Sequence, residues 1–116
     1  MDEATIAGRT KVAEWDGRQV REYWVDAREL GFSGRSLSAL QGGDSHRNAG
    51  IIRAIMGGEE RDAPRDAVVL NAAFCLLAAG RVSSLAQGMA LAGETIDSGR
   101  AAQTLEAAVR LSWEKE

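Results

Sequence analysis

Asp2 and Glu3 stand side by side near the start of the chain, just ahead of a short polar stretch that leads into a hairpin pattern. Ionised carboxylates only accept hydrogen bonds, and an adjacent pair at the edge of a sheet is one way to hold Mg²⁺, a hard cation that prefers oxygen ligands. Such pairs are also frequent as solvated surface, so the motif alone is weak. Gly42-Gly43-Asp44 admits two readings: amides at a helix N-terminus that cradle an anion, or a helix stop followed by an Asp cap. The cap is the simpler reading, because neither G-x-G-x-x-G nor G-x-x-x-x-G-K-[ST] occurs. His46, the only histidine, falls in the first turn of a helix and is expected to be a solvated surface residue. Cys75, the only cysteine, lies in an apolar run and is expected to be a buried, reduced thiol. The two suggest no nucleophile and base. Asn71 is the lone polar residue between Ala67 and Ala79. A buried amide must find hydrogen-bond partners, so it is expected to sit in a structural network.

These residues must be positioned by the elements around them. TKVAEWDGRQVREYWV, residues 10–25, reads as two strands joined at Asp16-Gly17, a pair that suits a two-residue type I′ turn. That turn pairs Trp15 with Arg18, Ala13 with Val20 and Lys11 with Glu22 on one face, and Glu14 with Gln19, Val12 with Arg21 and Thr10 with Tyr23 on the other. Neither face is uniformly apolar, and a lone ribbon is marginal, so helices must cover it or a larger sheet must extend it. Helical turns follow, with Asp26 capping Arg28–Leu30 and Ser36 capping Leu37–Leu40. Asp44 or Ser45 starts an amphipathic helix carrying Ile51, Ile52, Ile55 and Met56, which Gly57-Gly58 ends. Pro64 suits the first turn of the next helix, whose apolar run from Ala67 to Ala79 marks it as the central core helix, closed by Gly80. Ser83 or Ser84 caps a third helix with Leu85, Met89, Ala92 and Ile96 on one face. Gly88 and Gly93 weaken that helix slightly but permit close approach. After Asp97-Ser98-Gly99 comes a last helix with Leu105, Val109 and Trp113 in a stripe, and a frayed Trp113-Glu114-Lys115-Glu116 tail. The fold class is therefore α+β for the isolated chain: an N-terminal β-hairpin (10–25) followed by about four helices (helical part 36–113).

Composition narrows the function. The chain has 116 residues, 45% of them hydrophobic, and a single proline, which fits one folded domain rather than a linker. Fourteen basic against seventeen acidic residues leave a net charge of −3, with no run of Lys or Arg. No nucleic acid is expected as a partner, since neutralising phosphates takes clustered positive charge. The same balance argues against a helix-turn-helix regulator built around Gly42-Gly43 and Gly57-Gly58. The Ala67–Ala79 run is too short to cross a bilayer, which takes about 20 residues. No membrane partner is expected, and the lack of a basic, hydrophobic leader implies a cytoplasmic location.

In order, DEATIAGRTKVAEWDG, VREYWVDARELGF, SLSALQGGDSHRNAGIIRAIMGGE, RDAVVLNAAFCLLAAG and IDSGRAAQTLEAAV resemble the C-terminal part of bacterial anthranilate phosphoribosyltransferase. The shared pattern is an acidic pair, G-x-T before the hairpin, L-x-G-G-D-x-x-x-N-A and then L-N-A-A. It covers essentially the whole chain but only about the last third of the usual enzyme. Gly8-Arg9-Thr10 has Arg where Pro is usual, and Ser45-His46-Arg47 replaces a more acidic or alanine-rich stretch.

The resemblance implies the C-terminal part of the α/β phosphoribosyltransferase / nucleoside phosphorylase catalytic domain, so that residues 1–116 form a single partial domain whose hairpin belongs to a larger mixed sheet. It also implies a role for the acidic pair. In the family the pair binds the Mg²⁺ that accompanies the diphosphate of phosphoribosyl pyrophosphate, and by motif it maps onto Asp2 and Glu3. The glycine-rich phosphate loop and the anthranilate-contacting residues have no counterpart here. The chain is thus expected to be inactive alone, to need the missing N-terminal portion, and to meet phosphoribosyl pyrophosphate and anthranilate only in the complete enzyme. An uncovered ribbon edge makes self-association a further expectation. The alternative is a non-catalytic binding or assembly module that retains the fold.

Overall fold

The computed structural model describes residues 1–114. Strands β1 (Arg9–Trp15) and β2 (Val20–Asp26) pair antiparallel as a ribbon of their own. Trp15 lies opposite Val20, Ala13 opposite Glu22 and Lys11 opposite Trp24, a register two residues away from the expected one. The cause is the loop. Asp16 Oδ1 accepts from the amides of Arg18 (2.9 Å) and Gln19 (3.0 Å), while the Asp16 amide donates to the Gln19 carbonyl. Only Gly17 takes a positive φ, whereas a type I′ turn requires two such residues. The side chain of Asp16 thus converts a two-residue turn into a four-residue loop. A shift of two preserves which face each side chain occupies, since faces alternate with period two. Lys11 and Glu22 are therefore diagonal rather than opposite, yet still pair at 3.5 Å, and Glu14 meets Arg21 instead of Gln19.

Among the described residues neither strand lies alongside a helix. One ribbon face is consequently bare, with Trp15 65% and Trp24 55% exposed, Arg9 stacking over the Trp24 ring at 4.4 Å.

A 3-10 turn over Leu37–Leu40, capped by Ser36, leads to α1 (Ser45–Met56), α2 (Ala63–Ala78), α3 (Leu85–Asp97) and α4 (Arg100–Trp113). The starts follow from side-chain caps: Asp44 accepts from the Arg47 amide and Ser84 from the Gln87 amide, while Pro64 sits in the first turn of α2. As expected, α2 is central. Its Ala63 and Leu70 join Ala4, Ile6, Ala27 and Phe32 in one core, and its Val69 joins Ile55, Ala92 and Ile96 in a second.

Two expectations of burial are corrected. Cys75 is exposed. The apolar run of α2 goes right round the helix, but its two cores take only the arcs carrying Leu70 and Val69, and Cys75 projects from the arc left over. The α4 stripe is also incomplete: Ala101 packs on the second core, whereas Val109 is exposed and Trp113 is 80% exposed. From Lys115 onward the expected fraying lies outside the described residues.

Candidate functional site

The segment that carries the acidic pair is pinned just behind it. Ile6 is fully buried in the first core and Ala4 nearly so. The Thr5 amide donates to Thr10 Oγ1 at 3.1 Å, and Gly8 O accepts from the Ala27 amide at 2.9 Å, which gives the G-x-T stretch a structural task. Asn71, midway along α2, completes the attachment. Its Oδ1 accepts from the Ala4 amide at 3.0 Å, and its Nδ2 donates to Ala4 O at 3.1 Å and to Ala67 O at 2.9 Å. The structural network expected of this amide exists, and it reaches across 67 residues to the neighbour of Glu3.

Asp2 and Glu3 themselves are exposed. Among the described residues neither is paired with a cation side chain, and no cluster of three or more His, Cys, Asp or Glu side chains could complete a metal shell. The donor set is two oxygen ligands free of ion pairing. That suits Mg²⁺, which is commonly bound through one or two carboxylates with the remaining positions taken by water and substrate phosphate.

Gly42-Gly43-Asp44 is a stop and a cap. Asn48 Oδ1 accepts from the Gly43 amide at 2.8 Å and its Nδ2 donates to Gly43 O at 3.1 Å, while Asp44 Oδ1 accepts from the Arg47 amide at 2.8 Å. Two amides that an anion would use are thereby taken. A Cβ on Gly42 would overlap Asn48 Oδ1, so the spacing of glycine and asparagine in the motif is one of mutual fit. The signal for this clamp was present in the sequence as G-G-D-x-x-x-N, but its meaning needed the loop geometry. His46 is exposed in the first turn of α1, as expected.

Three stretches far apart in the chain converge here. Glu3, Gly42, Asn48 and Asn71 all line one groove of about 410 Å³, together with apolar side chains that include Ile51 and Val68. The groove thus has a carboxylate and two hydrogen-bonding amides at the border of an apolar surface. Two carboxylates elsewhere are held beside arginines. Arg28 holds the Asp26 carboxyl down to about 2 by its side-chain hydrogen bonds. Burial pushes the Asp66 carboxyl up, against the opposing pull of Arg35, whose guanidinium lies 2.6 Å away.

Comparison with known proteins follows the same lines. The profile of the "Glycosyl transferase family, a/b domain" matches residues 1–102. Anthranilate phosphoribosyltransferase of Rubrobacter xylanophilus is 44% identical over 112 residues, a match covering 97% of this chain and 33% of that protein. The protein of the same name from Trichlorobacter lovleyi is 47% identical over 106 residues, covering 91% of this chain and 30% of its own length. The crystal structure of anthranilate phosphoribosyltransferase from Thermus thermophilus superimposes with a TM-score of 0.83 at 37% identity, over 95% of this chain and 32% of that one. The chain therefore spans about a third of the length of the curated relatives it matches. Its hairpin and helices have the fold of the C-terminal part of that enzyme.

Proposed function

The chain belongs to the glycosyl transferase family of this a/b domain, and from that premise we propose that it is the C-terminal portion of an anthranilate phosphoribosyltransferase in tryptophan biosynthesis. The reaction forms a bond between the anthranilate nitrogen and the ribose C1 of phosphoribosyl pyrophosphate as the bond from C1 to diphosphate breaks. The observation that carries the reading is the meeting of Glu3, Gly42, Asn48 and Asn71 on one groove, since these residues belong to the separate motifs by which the sequence resembles the enzyme.

Asp2 and Glu3 are the metal ligands in this reading. Mg²⁺, when bound, offsets the charge of the departing diphosphate. The chain's own contribution is to present Glu3 on the groove, with Asp2 beside it in sequence, on a backbone fixed by Ile6 and Asn71. Proximity and orientation of the two substrates need more than carboxylates. The phosphate-binding and anthranilate-binding parts lie in the missing N-terminal portion, which is the principal partner. The bare ribbon joins its sheet there, or pairs with a second copy when that portion is absent. The assembled enzyme works in the cytoplasm.

The test is reassembly. The pure chain shows no transfer of phosphoribose to anthranilate, and the chain mixed with a matching N-terminal portion shows Mg²⁺-dependent product formation. Asp2→Asn with Glu3→Gln removes most of that activity while the helical circular dichroism is unchanged. Turnover by the chain alone would refute the division of labour, and a double variant equal to the parent at every Mg²⁺ concentration would return Asp2 and Glu3 to mere surface. A stable complex with no turnover under any condition would favour the non-catalytic assembly module.

A further inference from the structure

We propose that Asn71 is the positioning residue of the acidic pair: it holds the Ala4 peptide and so fixes the backbone from which Asp2 and Glu3 extend, with Glu3 on the wall of the groove. This rests on the reading of Asp2 and Glu3 as cation ligands. Asn71 could have satisfied itself within its own helix, and its Nδ2 does donate to Ala67 O at 2.9 Å. The two bonds to Ala4 go further. They are reciprocal, one accepted by Oδ1 and one donated by Nδ2, and they engage both polar groups of a single residue.

Few side chains can make that pair of bonds. It needs a donor and an acceptor side by side on one planar group, which an amide has and a carboxylate lacks. An Asp at this position would set its second oxygen against Ala4 O. A Leu would match the volume and supply neither bond. The lever is short, because successive Cα atoms are about 3.8 Å apart and Glu3 immediately precedes the clamped residue. Without the clamp, the Ala4 methyl in the first core still anchors the segment, but no hydrogen bond fixes the Ala4 peptide, and the next attachments, the Thr5 amide on Thr10 and the buried Ile6, lie on the far side of Ala4 from the carboxylates. The orientation of the peptide that leads to Glu3 would then be set by no hydrogen bond. Asn71 and Glu3 also line the same groove, so the tie and the group it directs share one surface.

The test uses the ¹⁵N-labelled chain, with Mn²⁺ standing in for Mg²⁺ as an oxygen-seeking divalent probe whose paramagnetic broadening reports even weak, fast-exchanging contact. Two signals are read: amide exchange at Ala4, and the Mn²⁺ concentration that broadens the Asp2 and Glu3 resonances to half intensity. In Asn71→Leu and in Asn71→Asp, Ala4 exchange accelerates about tenfold or more, the scale of a lost hydrogen-bond pair, and the Mn²⁺ midpoint rises severalfold. Ile96→Val, a change confined to the second core, leaves the Mn²⁺ midpoint where it was, which separates positioning from loss of stability. A midpoint identical in the parent and in Asn71→Leu overturns this proposal alone. Parent resonances of Asp2 and Glu3 that ignore Mn²⁺ overturn the cation reading, and this proposal with it.

Discussion

Gly88 and Gly93 sit on the same helix, and sequence reasoning treats them alike, yet substitution by alanine moves stability in opposite directions. A Cβ built on Gly88 would stand 2.9 Å from both Cα and Cβ of Ala73 and 3.0 Å from its carbonyl oxygen. Optimal carbon contacts lie at about 3.5 to 4.0 Å. These atoms are backbone or fixed to it, so relief requires α2 and α3 to move apart along their shared face, opening space beside Leu70 and Val69. Overpacking of this kind costs about 1 to 3 kcal/mol. Alanine recovers about 1 kcal/mol through helix propensity. Gly88→Ala is therefore destabilising by up to about 2 kcal/mol, the difference of those two effects. At Gly93 the nearest atom to a new Cβ is Arg65 Nη2 at 3.6 Å, an ordinary contact with the end of a long side chain. Only the propensity gain remains there, and Gly93→Ala is stabilising by about 0.5 to 1 kcal/mol. Urea unfolding followed by far-ultraviolet circular dichroism, with both variants beside the parent, measures the two changes at constant slope. A Gly88→Ala midpoint at or above the parent's would refute the close approach of α2 and α3 and the packing derived from it.

Leu70→Ala, in the first core at 1% exposure, is expected to cost about 2 to 5 kcal/mol in the same unfolding assay; a loss under about half a kilocalorie would mark α2 as peripheral. Acid stability should report Asp26, whose carboxyl Arg28 holds at about 2 against an ordinary 3.8. A depressed acid contributes stability that is complete above its unfolded value and lost as pH falls through the folded one. Unfolding midpoints measured from pH 4 to pH 2 should therefore decline in the parent and decline less steeply in Asp26→Asn. Asp66 runs the other way, because burial raises its carboxyl. Its ionisation is a burden on the folded state that is relieved as pH falls, so Asp66→Asn should show a smaller stability difference from the parent at acidic than at neutral pH.

The helices were legible because their signals are local. Asp44, Ser84 and Pro64 begin them as side-chain capping and proline's fixed φ dictate, and Gly57-Gly58, Gly80 and Gly99 follow their ends. The hairpin was legible in kind but not in register. Asp-Gly favours a type I′ turn by backbone geometry, and what displaced it was the Asp16 carboxylate capturing two amides, a side-chain effect that dipeptide preference does not contain. At the candidate site the need was readable and the partner was not. An amide in an apolar helix must be satisfied, but that Asn71 would spend itself on Ala4 depends on the first core bringing residues 67 apart into contact.

The remaining errors share a direction. Cys75 was expected to be buried and is exposed, Val109 in the α4 stripe is exposed as well, and the ribbon, expected to be covered or extended unless its edge stood open, presents Trp15 and Trp24 to solvent. Apolar periodicity records which residues avoid water in the native assembly, not which neighbour covers them. A helix that is hydrophobic all round is ordinarily buried all round. In α2 the described residues cover only part of that circumference. The chain spans a third of the length of its relatives, and under the proposed function these uncovered patches are the faces that the missing portion meets. The same reasoning explains why the exposed apolar residues gather on the ribbon, the outer arc of α2 and the end of α4, whereas the segment from Ala4 to Ile6, which reads in the sequence only as a short polar stretch, is buried. That segment is held by contacts internal to the chain, namely Asn71, Thr10 and the first core. The backbone behind the acidic pair is thus held by the chain itself, while the ribbon, the outer arc of α2 and the end of α4 are left exposed.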